Sequence, residues 1–287
     1  MKRLLLIDAH ALVHRMFHAL APLTGPQGEP VGALYGLAKL LLKIKTEMNP
    51  EYIVACFDRP EPTFRKERYP DYKITRQPTA PELIPQLIES RKVFDWFKIK
   101  QFEMAGFEAD DLLGTLARRA AKEPDLKVMV LSGDRDLLQL VDDDKIFVLL
   151  MKNGGETETR EYNADKVKEE YGIEAKQFID YKAIVGDASD NIPGVRGIGP
   201  KSAVPLLQEF ETLEGIYDNL VIINPKIAKK FEEQRENAFL SKELATIKCD
   251  CSVFLDSIED LRAAPLNKEE LKKHFESLGF VSLANKL

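Results

Sequence analysis

The chain alternates between short apolar runs and longer stretches whose apolar residues recur at helical spacing. The five residues from Arg3 to Ile7 fit a buried strand, and the stretch HALVHRMFHAL beyond them has helical spacing. The same order recurs along the chain, in YIVACF before PELIPQLIESRKVFDWF, KIKQFE before EADDLLGTLARRAAKE, and KVMVLS before DLLQLV. Strands that alternate with helices predict an α/β fold with a mostly parallel central sheet flanked by helices.

The second half of the chain follows a different pattern. The stretch KIFVLLMKNGGETETREY predicts a hairpin around Asn153, Gly154 and Gly155, and therefore an antiparallel strand at the sheet edge. From about Asn163 onward the spacing is helical, and NKEELKKHFESLGFVSL predicts one last amphipathic helix. We therefore expect two domains, an α/β domain over 1–175 and a helical domain over 176–287.

Composition narrows the class of protein. The 287 residues are 44% hydrophobic and 31% charged, which is typical of a soluble globular protein. No apolar run approaches the ~20 residues of a membrane span, and the first run is broken at Asp8. The three cysteines form no disulfide framework, and Cys249-Asp-Cys251 is too short for a metal-binding Cys-x-x-Cys pair. We therefore expect a cytoplasmic protein. The net charge of −6 argues against a generally basic nucleic-acid binder but not against local basic patches.

Acidic residues follow the predicted strands or open the predicted helices. Each alone has an ordinary explanation, since Asp often caps the next helix and acids are favoured in a first helical turn. These ordinary explanations are less sufficient for the whole set of acids, because parallel strands bring their carboxyl ends to one edge of the sheet. Three strand ends and one helix start deliver acids to that edge. The candidate metal ligands are Asp8, Asp58, Glu108, Asp110, Asp111, Asp134, Asp136, Asp187 and Asp190.

Such a cluster requires protons or cations. Two carboxylates about 4 Å apart repel by about 4 kcal/mol at an effective dielectric near 20. Hard divalent cations suit an all-oxygen set, so Mg²⁺ or Mn²⁺ is expected. Two such ions roughly 3.5–4 Å apart can orient a water and stabilise an in-line displacement at phosphorus. The sequence therefore predicts hydrolysis of a phosphate ester.

A basic segment follows the second strand. FRKERYPDYKITRQ (64–77) carries Arg65, Lys66, Arg68, Lys73 and Arg76 with two tyrosines, Tyr69 and Tyr72, among them. Cations interleaved with aromatic rings suit single-stranded nucleic acid, whereas the alternative is a solvated charged loop. Its position directly after Asp58 favours the functional interpretation. Arg15, seven residues after Asp8, either approaches the scissile phosphate or is a surface arginine.

Three histidines, His10, His14 and His18, recur every four residues on one predicted helix face. They suggest zinc, but one helix face presents three ligands in a line whereas zinc requires convergent ligands. We therefore expect His10 to flank the acidic site and the other two histidines to pack.

The stretch from Gly194 to Gly199, followed by Lys201 and Ser202, nearly matches a nucleotide-binding P-loop. Pro200 stands where the lysine should be, and no strand precedes the first glycine. The better interpretation is a tight turn between two helices, with Pro200 as the first helical residue and backbone N–H groups facing a duplex phosphate.

Five motifs in order resemble the 5′ nuclease (flap endonuclease) family. They are LIDAHALVHRMFHAL, FDRPEPTFRKERYPDYK, GFEADDLLGTLA, LSGDRDLLQL and YKAIVGDASDNIPGVRGIGPKSA. Within the family, the chain most closely resembles the 5′→3′ exonuclease domain at the N-terminus of bacterial DNA polymerase I. The resemblance implies a PIN-like sheet, a helical arch around 65–97, and a helix–turn–helix-type subdomain that binds duplex DNA.

The resemblance also implies substrate, cofactors and roles. The expected activity is metal-dependent cleavage near the 5′ ends of flapped, nicked or gapped duplex DNA and of RNA primer–DNA hybrids, by a monomer that acts at the nucleoid and is either free or linked to a polymerase domain. All nine acids match the family's metal carboxylates. Arg15, Arg65 and Lys73 match positions that contact the substrate near the cleaved phosphate. The implied DNA contacts are Arg68, Arg76, Tyr72, Gly194, Gly197, Gly199, Lys201 and Ser202, with K⁺ at the glycine turn.

One feature departs from the family, and two other functions remain open. Relatives commonly carry a basic residue where this chain reads SAVPLL, so Pro205 predicts weaker duplex binding and a bent helix. A PIN-like ribonuclease or a phosphatase would use a similar acidic cluster but would lack the arch and the glycine turn. A non-catalytic DNA-binding module would not need the full set of acids.

Overall fold

The computed structural model describes residues 1–142, 144–152 and 157–287. Within these residues a single sheet has the strand order β3-β2-β1-β4-β5-β6. Its strands are β1 (Lys2–Asp8), β2 (Tyr52–Cys56), β3 (Lys100–Phe102), β4 (Leu126–Ser132), β5 (Ile146–Met151) and β6 (Thr159–Tyr162).

The strand pairing confirms the predicted sheet. The first five strands are parallel, and β6 pairs antiparallel with β5 at the edge. The predicted hairpin residues 153–155 lie outside the described residues. The chain leaves β1 toward β2 and β3, then returns to the other side of β1 to form β4. This reversal leaves a crevice at the carboxyl ends of β1 and β4, where open α/β sheets carry their ligands.

Helices cover both faces of the sheet because β1 alternates its buried side chains between them. Leu5 and Ile7 share a core with one set of helices, and Leu4 and Leu6 share a core with the helix Ala109–Ala120 and with later helices. The helices between the strands are α1 (Ala9–Ala19), α2 (Gly32–Lys43), α3 (Phe64–Arg68), α4 (Leu83–Trp96) and α5 (Ala109–Ala120). A 3-10 helix, Arg135–Leu140, forms where DLLQLV follows β4.

The rest of the chain is helical, as predicted. The elements are α6 (Ala164–Tyr171), α7 (Phe178–Val185), α8 (Pro200–Phe210), α9 (Leu213–Asp218), α10 (Pro225–Glu233), α11 (Arg235–Ala245), α12 (Lys268–Ser277) and α13 (Val281–Ala284). Helix α8 is continuous through Pro205. No described helix is both long and apolar enough to cross a membrane.

The last predicted helix is in fact two helices. Gly279, with φ of +76°, separates α12 from α13, a conformation that favours glycine. Leu271 and Phe275 of α12 lie in the same core as Leu5 and Ile7 of β1. The final helices thus pack against the sheet. The division into two domains, 1–175 and 176–287, stays a prediction.

Candidate active site

An open cleft of about 980 Å³ lies at the carboxyl ends of β1 and β4. Three strands and the start of α5 supply acids to it, and the segment after α7 adds one more. Seven of the nine predicted carboxylates line this cleft: Asp8, Asp58, Glu108, Asp110, Asp134, Asp136 and Asp187.

Asp8 serves both the fold and the cleft. Its carboxylate caps α1 by accepting a hydrogen bond from the Ala11 amide at 3.1 Å, and it accepts another from the Ser132 hydroxyl at 2.6 Å. Burial raises the pKa of Asp8 to about 7, and repulsion from Asp58 and Asp134 adds to the rise while the Ser132 bond opposes it. Asp8 therefore caps a helix and also lines the acidic cleft, so the capping role and the predicted site role are compatible.

Two further carboxylates of the cleft also have raised pKa values. Burial, followed by the charge of Asp134, raises the pKa of Asp110 well above its ordinary value. Burial and Asp134 also raise the pKa of Asp136 to about 7, although Lys182 opposes that rise. A cluster that binds protons this readily without a cation will exchange them for a cation of sufficient charge.

A lysine that the sequence interpretation missed neutralises part of the cluster. The Lys182 ammonium lies 2.5 Å from an oxygen of Asp136 and also pairs with Asp187. Burial alone would lower the pKa of Lys182, but the two acids raise it above its usual value. The available signal was its position in KAIVGD, five residues before Asp187.

The donor set fits divalent ions with water in part of their shell. In residues 1–142, 144–152 and 157–287, no group of three or more Asp, Glu, His or Cys side chains forms a complete coordination site for one ion. Mg²⁺ does not require such a site, because it commonly keeps several waters and binds through one or two carboxylates. Burial first, and repulsion between neighbouring carboxylates after it, raises the pKa values of Asp8 and Asp136, and a bound cation would stabilise their charged forms.

The basic segment is fastened at the rim of the cleft. The Lys73 ammonium lies 2.8 Å from Glu108, and the Lys73 amide donates to the carbonyl of Asp190 at 2.8 Å. Lys73 has φ of +57°, an uncommon conformation for a residue with a side chain. Arg76 also lines the cleft, and its guanidinium pairs with Asp190. These contacts direct two cations toward the acids.

Two predicted site residues that bound this segment are buried inside the protein. Tyr72 was expected to contact DNA, but it is only 4% exposed and its hydroxyl donates to Glu108 and Asp190. Asp190 was expected to hold metal, but it is 6% exposed, lies outside the cleft lining, and accepts from Tyr72 and Arg76. Both residues fasten the base of the segment. Arg68 is exposed and pairs with Glu243 at 2.9 Å.

Asp111 and Arg65 also have a different place from the one predicted. Asp111 is fully buried, and its two oxygens accept bonds of 2.7 and 2.8 Å from the Arg65 guanidinium. The remaining Arg65 donors reach the carbonyls of Leu244 and Thr246. Since Arg65 is only 2% exposed, neither residue faces the cleft. This ion pair joins α3 to α5 and to the end of α11.

Helix α1 places Arg15 and the three histidines along the cleft. The Arg15 guanidinium donates to the carbonyl of Lys152. His14 and His18 pack against neighbouring rings, as expected, with centroids 4.8 Å from His10 and 5.2 Å from Phe17, but they also line the cleft. Burial lowers the pKa of His14 to about 4, so its ring is neutral at pH 7.

The glycine segment forms a turn that leads into α8. Gly194 and Gly197 have φ of +63° and +86°, and a Cβ at Gly194 would lie 2.5 Å from the Gly186 nitrogen. Gly199 caps α8, and Pro200 is its first residue, as predicted. The turn therefore requires glycine for backbone reasons. Its outer residues, including Gly199 and Lys201, are exposed.

Comparison with known families decides the classification. Residues 3–172 match the sequence model described as the 5′-3′ exonuclease N-terminal resolvase-like domain. Residues 173–269 match the 5′-3′ exonuclease C-terminal SAM fold. The chain belongs to the 5′-3′ exonuclease family. Both the family resemblance and the predicted fold class, a mostly parallel sheet followed by a helical unit, are thereby confirmed.

Two bacterial proteins are among the relatives of this chain. The chain is 40% identical over 285 residues to DNA polymerase I of Caldicellulosiruptor bescii, covering 99% of this chain and 33% of that protein. It is 38% identical over 287 residues to DNA polymerase I of Bacillus subtilis, covering 100% of this chain and 32% of that protein. The chain thus spans about a third of the length of these exonuclease-family relatives.

Solved structures of the family have the same fold. T5 5′-exonuclease with bound divalent metal ions (zinc) is 25% identical, with a TM-score of 0.70 over 86% of this chain and 90% of that chain. The bacteriophage T5 flap endonuclease in a complex with DNA and metal ions is 24% identical, with a TM-score of 0.70 over 99% of this chain and 100% of that chain.

Proposed function

We propose that this chain is a structure-specific 5′ nuclease that uses divalent metal ions to hydrolyse phosphodiester bonds near the 5′ ends of flapped, nicked or gapped duplex DNA and of RNA primers. The observation that carries the proposal is the gathering of seven carboxylates from distant parts of the chain along one cleft, with Lys73, Arg76 and Arg15 at the same place. Acids alone would repel a phosphate, whereas acids beside cations accept metal ions and the phosphate together.

The seven cleft carboxylates are the proposed ligands for two or more Mg²⁺ or Mn²⁺ ions. Bound there, such ions lower the pKa of a water and stabilise the charge that develops on the phosphate. T5 5′-exonuclease binds divalent metal ions, which supports the same cofactor class here. Lys182 keeps Asp136 and Asp187 adjacent, and Ser132 and Ala11 fix the carboxylate of Asp8.

Cations at the rim would hold the reacting strand. Lys73 and Arg76 line the cleft from one side and Arg15 lines it from α1, so a phosphate between them would meet positive charge on two sides. Arg65 acts indirectly in this proposal, because its guanidinium is used inside the protein. Arg68, which is exposed, is a candidate contact for the 5′ strand.

The glycine turn is the proposed contact for duplex DNA. Its exposed residues Gly197, Gly199 and Lys201 can meet backbone phosphates without reading sequence, and Ser202 follows on the first turn of α8. Gly194 provides the bend, and K⁺ is the proposed counter-ion between turn and phosphate. Because these contacts are to phosphates, duplex affinity should fall as salt rises, despite the net charge of −6.

The relatives are named DNA polymerase I, which supports the proposal that this nuclease acts together with a polymerase in replication and repair. We propose that the unit acts as a monomer on nucleoid DNA in the cytoplasm, either linked to a polymerase domain or free. A polymerase that extends a strand displaces the 5′ end ahead of it, and that displaced end is the proposed substrate.

The test is cleavage of a 5′-labelled flap duplex with Mg²⁺ and then with EDTA. Release of short 5′ products only with Mg²⁺, and not by Asp134→Ala, supports the proposal. Binding of the flap without cleavage under both conditions would instead identify a non-catalytic DNA-binding module. Preferential cleavage of plain single-stranded RNA would identify a PIN-like ribonuclease.

A further inference from the structure

The glycine turn is held from behind by side chains of α10 and α11 and the residue between them. The Ser241 hydroxyl accepts from the Gly194 amide at 2.9 Å. Gln234 makes two bonds to one residue, accepting from the Arg196 amide at 2.8 Å and donating to the Arg196 carbonyl at 3.2 Å. The Lys230 ammonium donates to the Gly197 carbonyl at 2.8 Å. These bonds cross 33 to 47 residues of chain, so the turn is not built by local contacts alone.

The remaining groups of the turn are directed outward. Within the described residues, the amides of Gly197, Gly199 and Lys201 donate to no protein acceptor. All three residues are exposed, and a Cβ built at Gly199 would meet nothing within 4 Å. By contrast, the amides of Gly194, Val195 and Arg196 are all used internally. The backbone amides on the inner side of the turn are thus hydrogen-bonded within the protein, whereas those on its outer side are free to bind a ligand.

We propose that Gln234 and Lys230 are positioning residues for duplex binding, which set the form in which the turn presents the amides of Gly197, Gly199 and Lys201 to backbone phosphates. The inference rests on the proposed duplex-contact function of the turn. Neither side chain needs to touch DNA: Gln234 fixes the backbone of Arg196 at both its N–H and C=O groups, and Lys230 fixes the next peptide.

Gln234 is suited to this role by chemistry and by placement. An amide side chain offers one acceptor and two donors, so it can pair with a peptide as a neighbouring strand would. Gln234 lies where α10 ends and α11 begins, and its amide also donates to the Lys230 carbonyl at 3.3 Å. Gly197, at φ of +86°, has Lys230 within 2.9 Å of a built Cβ, so the ammonium also lies close against the turn.

The experiment separates duplex affinity from chemistry. Dissociation constants for a flap duplex are measured in Ca²⁺, and single-turnover rates are measured in Mg²⁺ at saturating enzyme. Gln234→Ala and Lys230→Ala are each expected to weaken duplex binding about 3- to 10-fold, as for the loss of one or two hydrogen bonds, with the saturated rate within about twofold of wild type. Gln208→Ala is the matched control, since its amide also donates to a glycine carbonyl, that of Gly172.

The outcomes distinguish the inference from the function on which it rests. If Lys201→Ala weakens duplex binding while Gln234→Ala and Lys230→Ala bind as wild type does, the turn contacts DNA but the positioning role is refuted. If none of the three variants changes duplex binding, the proposed contact itself is refuted. If either variant at 230 or 234 lowers the melting temperature and the saturated rate together, the residue has a general structural role, and the inference again fails.

Discussion

The ammonium group of Lys182 lies 2.5 Å from a carboxylate oxygen of Asp136, at the wall of the acidic cleft. The same group pairs with Asp187, so a single positive charge holds together two acids that come from distant parts of the chain. The pKa of Asp136 nonetheless rises to about 7, chiefly through burial and the charge of Asp134. One lysine therefore balances this part of the cleft only partly, and a divalent cation would complete the balance.

Replacement of Lys182 by Met should destabilise the protein most when metal is absent. Removing one partner from a largely buried group of charges leaves Asp136 and Asp187 uncompensated, and the expected loss is about 1–3 kcal/mol in the free energy of unfolding in EDTA. Saturating Mg²⁺ should reduce that loss, because the ion neutralises the same acids. Urea unfolding with and without Mg²⁺ measures both values.

Lys176→Met is the control for this comparison, since Lys176 is exposed on a 3-10 turn away from the cleft. An equal loss for Lys182→Met with and without Mg²⁺ would mean that Lys182 stabilises the fold independently of a cation site.

The stability of the metal-free protein should depend on pH through Asp8. Its pKa is about 7 in the folded chain, compared with 3.8 ordinarily, so the folded state keeps a proton that the unfolded state releases. Stability from this group is therefore present at low pH and is lost as pH rises from about 4 to about 7. Asp8→Asn carries no such proton and should gain about 2–4 kcal/mol relative to wild type across that window.

Unfolding of both proteins in EDTA between pH 4 and pH 8 checks this prediction. His14, whose pKa burial lowers to about 4, destabilises the folded state as pH falls below its ordinary value of 6.5, but it is present in both proteins and cancels in the difference. A difference that stays constant across the range would contradict a raised pKa at Asp8.

Asp110 and Asp111 should behave oppositely, although they are neighbours. Asp110→Ala should abolish cleavage and leave the metal-free protein at least as stable as wild type, because Asp110 lines the cleft and burial raises its pKa. Asp111→Ala should lower the free energy of unfolding by about 3–5 kcal/mol, since it removes both short bonds to the buried Arg65 and leaves that guanidinium only the Glu108 carboxylate at 3.5 Å. Below its melting temperature, the Asp111 variant should retain measurable cleavage.

Calorimetry and flap cleavage of the two variants, compared side by side, provide the check. Complete loss of cleavage by a folded Asp111→Ala protein would restore the original prediction that this carboxylate binds metal. A fully active Asp110→Ala protein would remove Asp110 from the site.

Lys73→Met should slow cutting more than it weakens binding. Lys73 lines the cleft and lies 2.8 Å from Glu108, so its charge is at the reacting end of the substrate and not along the duplex. The single-turnover rate at saturating enzyme should fall at least about 10-fold, with the duplex dissociation constant within about threefold. Lys92→Met, an exposed lysine of α4 that pairs with Glu89, is the control. An unchanged rate would exclude Lys73 from the chemistry.

The sequence predicted the sheet and the gathering of acids because both follow from parallel topology. Asp8 is the last residue of β1 and Asp134 follows the end of β4 by two residues, and parallel strands must bring such residues to one edge. It did not separate Asp110 from Asp111, since the difference depends on Arg65, which lies 46 residues away in sequence. The burial of Tyr72 likewise depends on Asp190, 118 residues further on.

Other parts of the site required packing that a single sequence does not display. His14 and His18 face the cleft because Leu12, Val13 and Met16 occupy the buried face of α1. Lys230 and Gln234 make inner bonds of the glycine turn. The sequence did not predict this role, because neither residue lies in a recognisable motif. The turn at Gly194–Gly199 and the place of Pro200 at the start of α8 were predicted correctly because the backbone itself requires these residues.

Anomalous diffraction from crystals of the wild-type protein soaked in Mn²⁺ tests the central claim most directly. The account predicts at least one manganese peak inside the cleft, with oxygens of Asp8, Asp110 or Asp134 within about 2.4 Å of it, and loss of that peak in Asp110→Ala crystals. An empty cleft at saturating Mn²⁺, or manganese bound only elsewhere on the molecule, would contradict it.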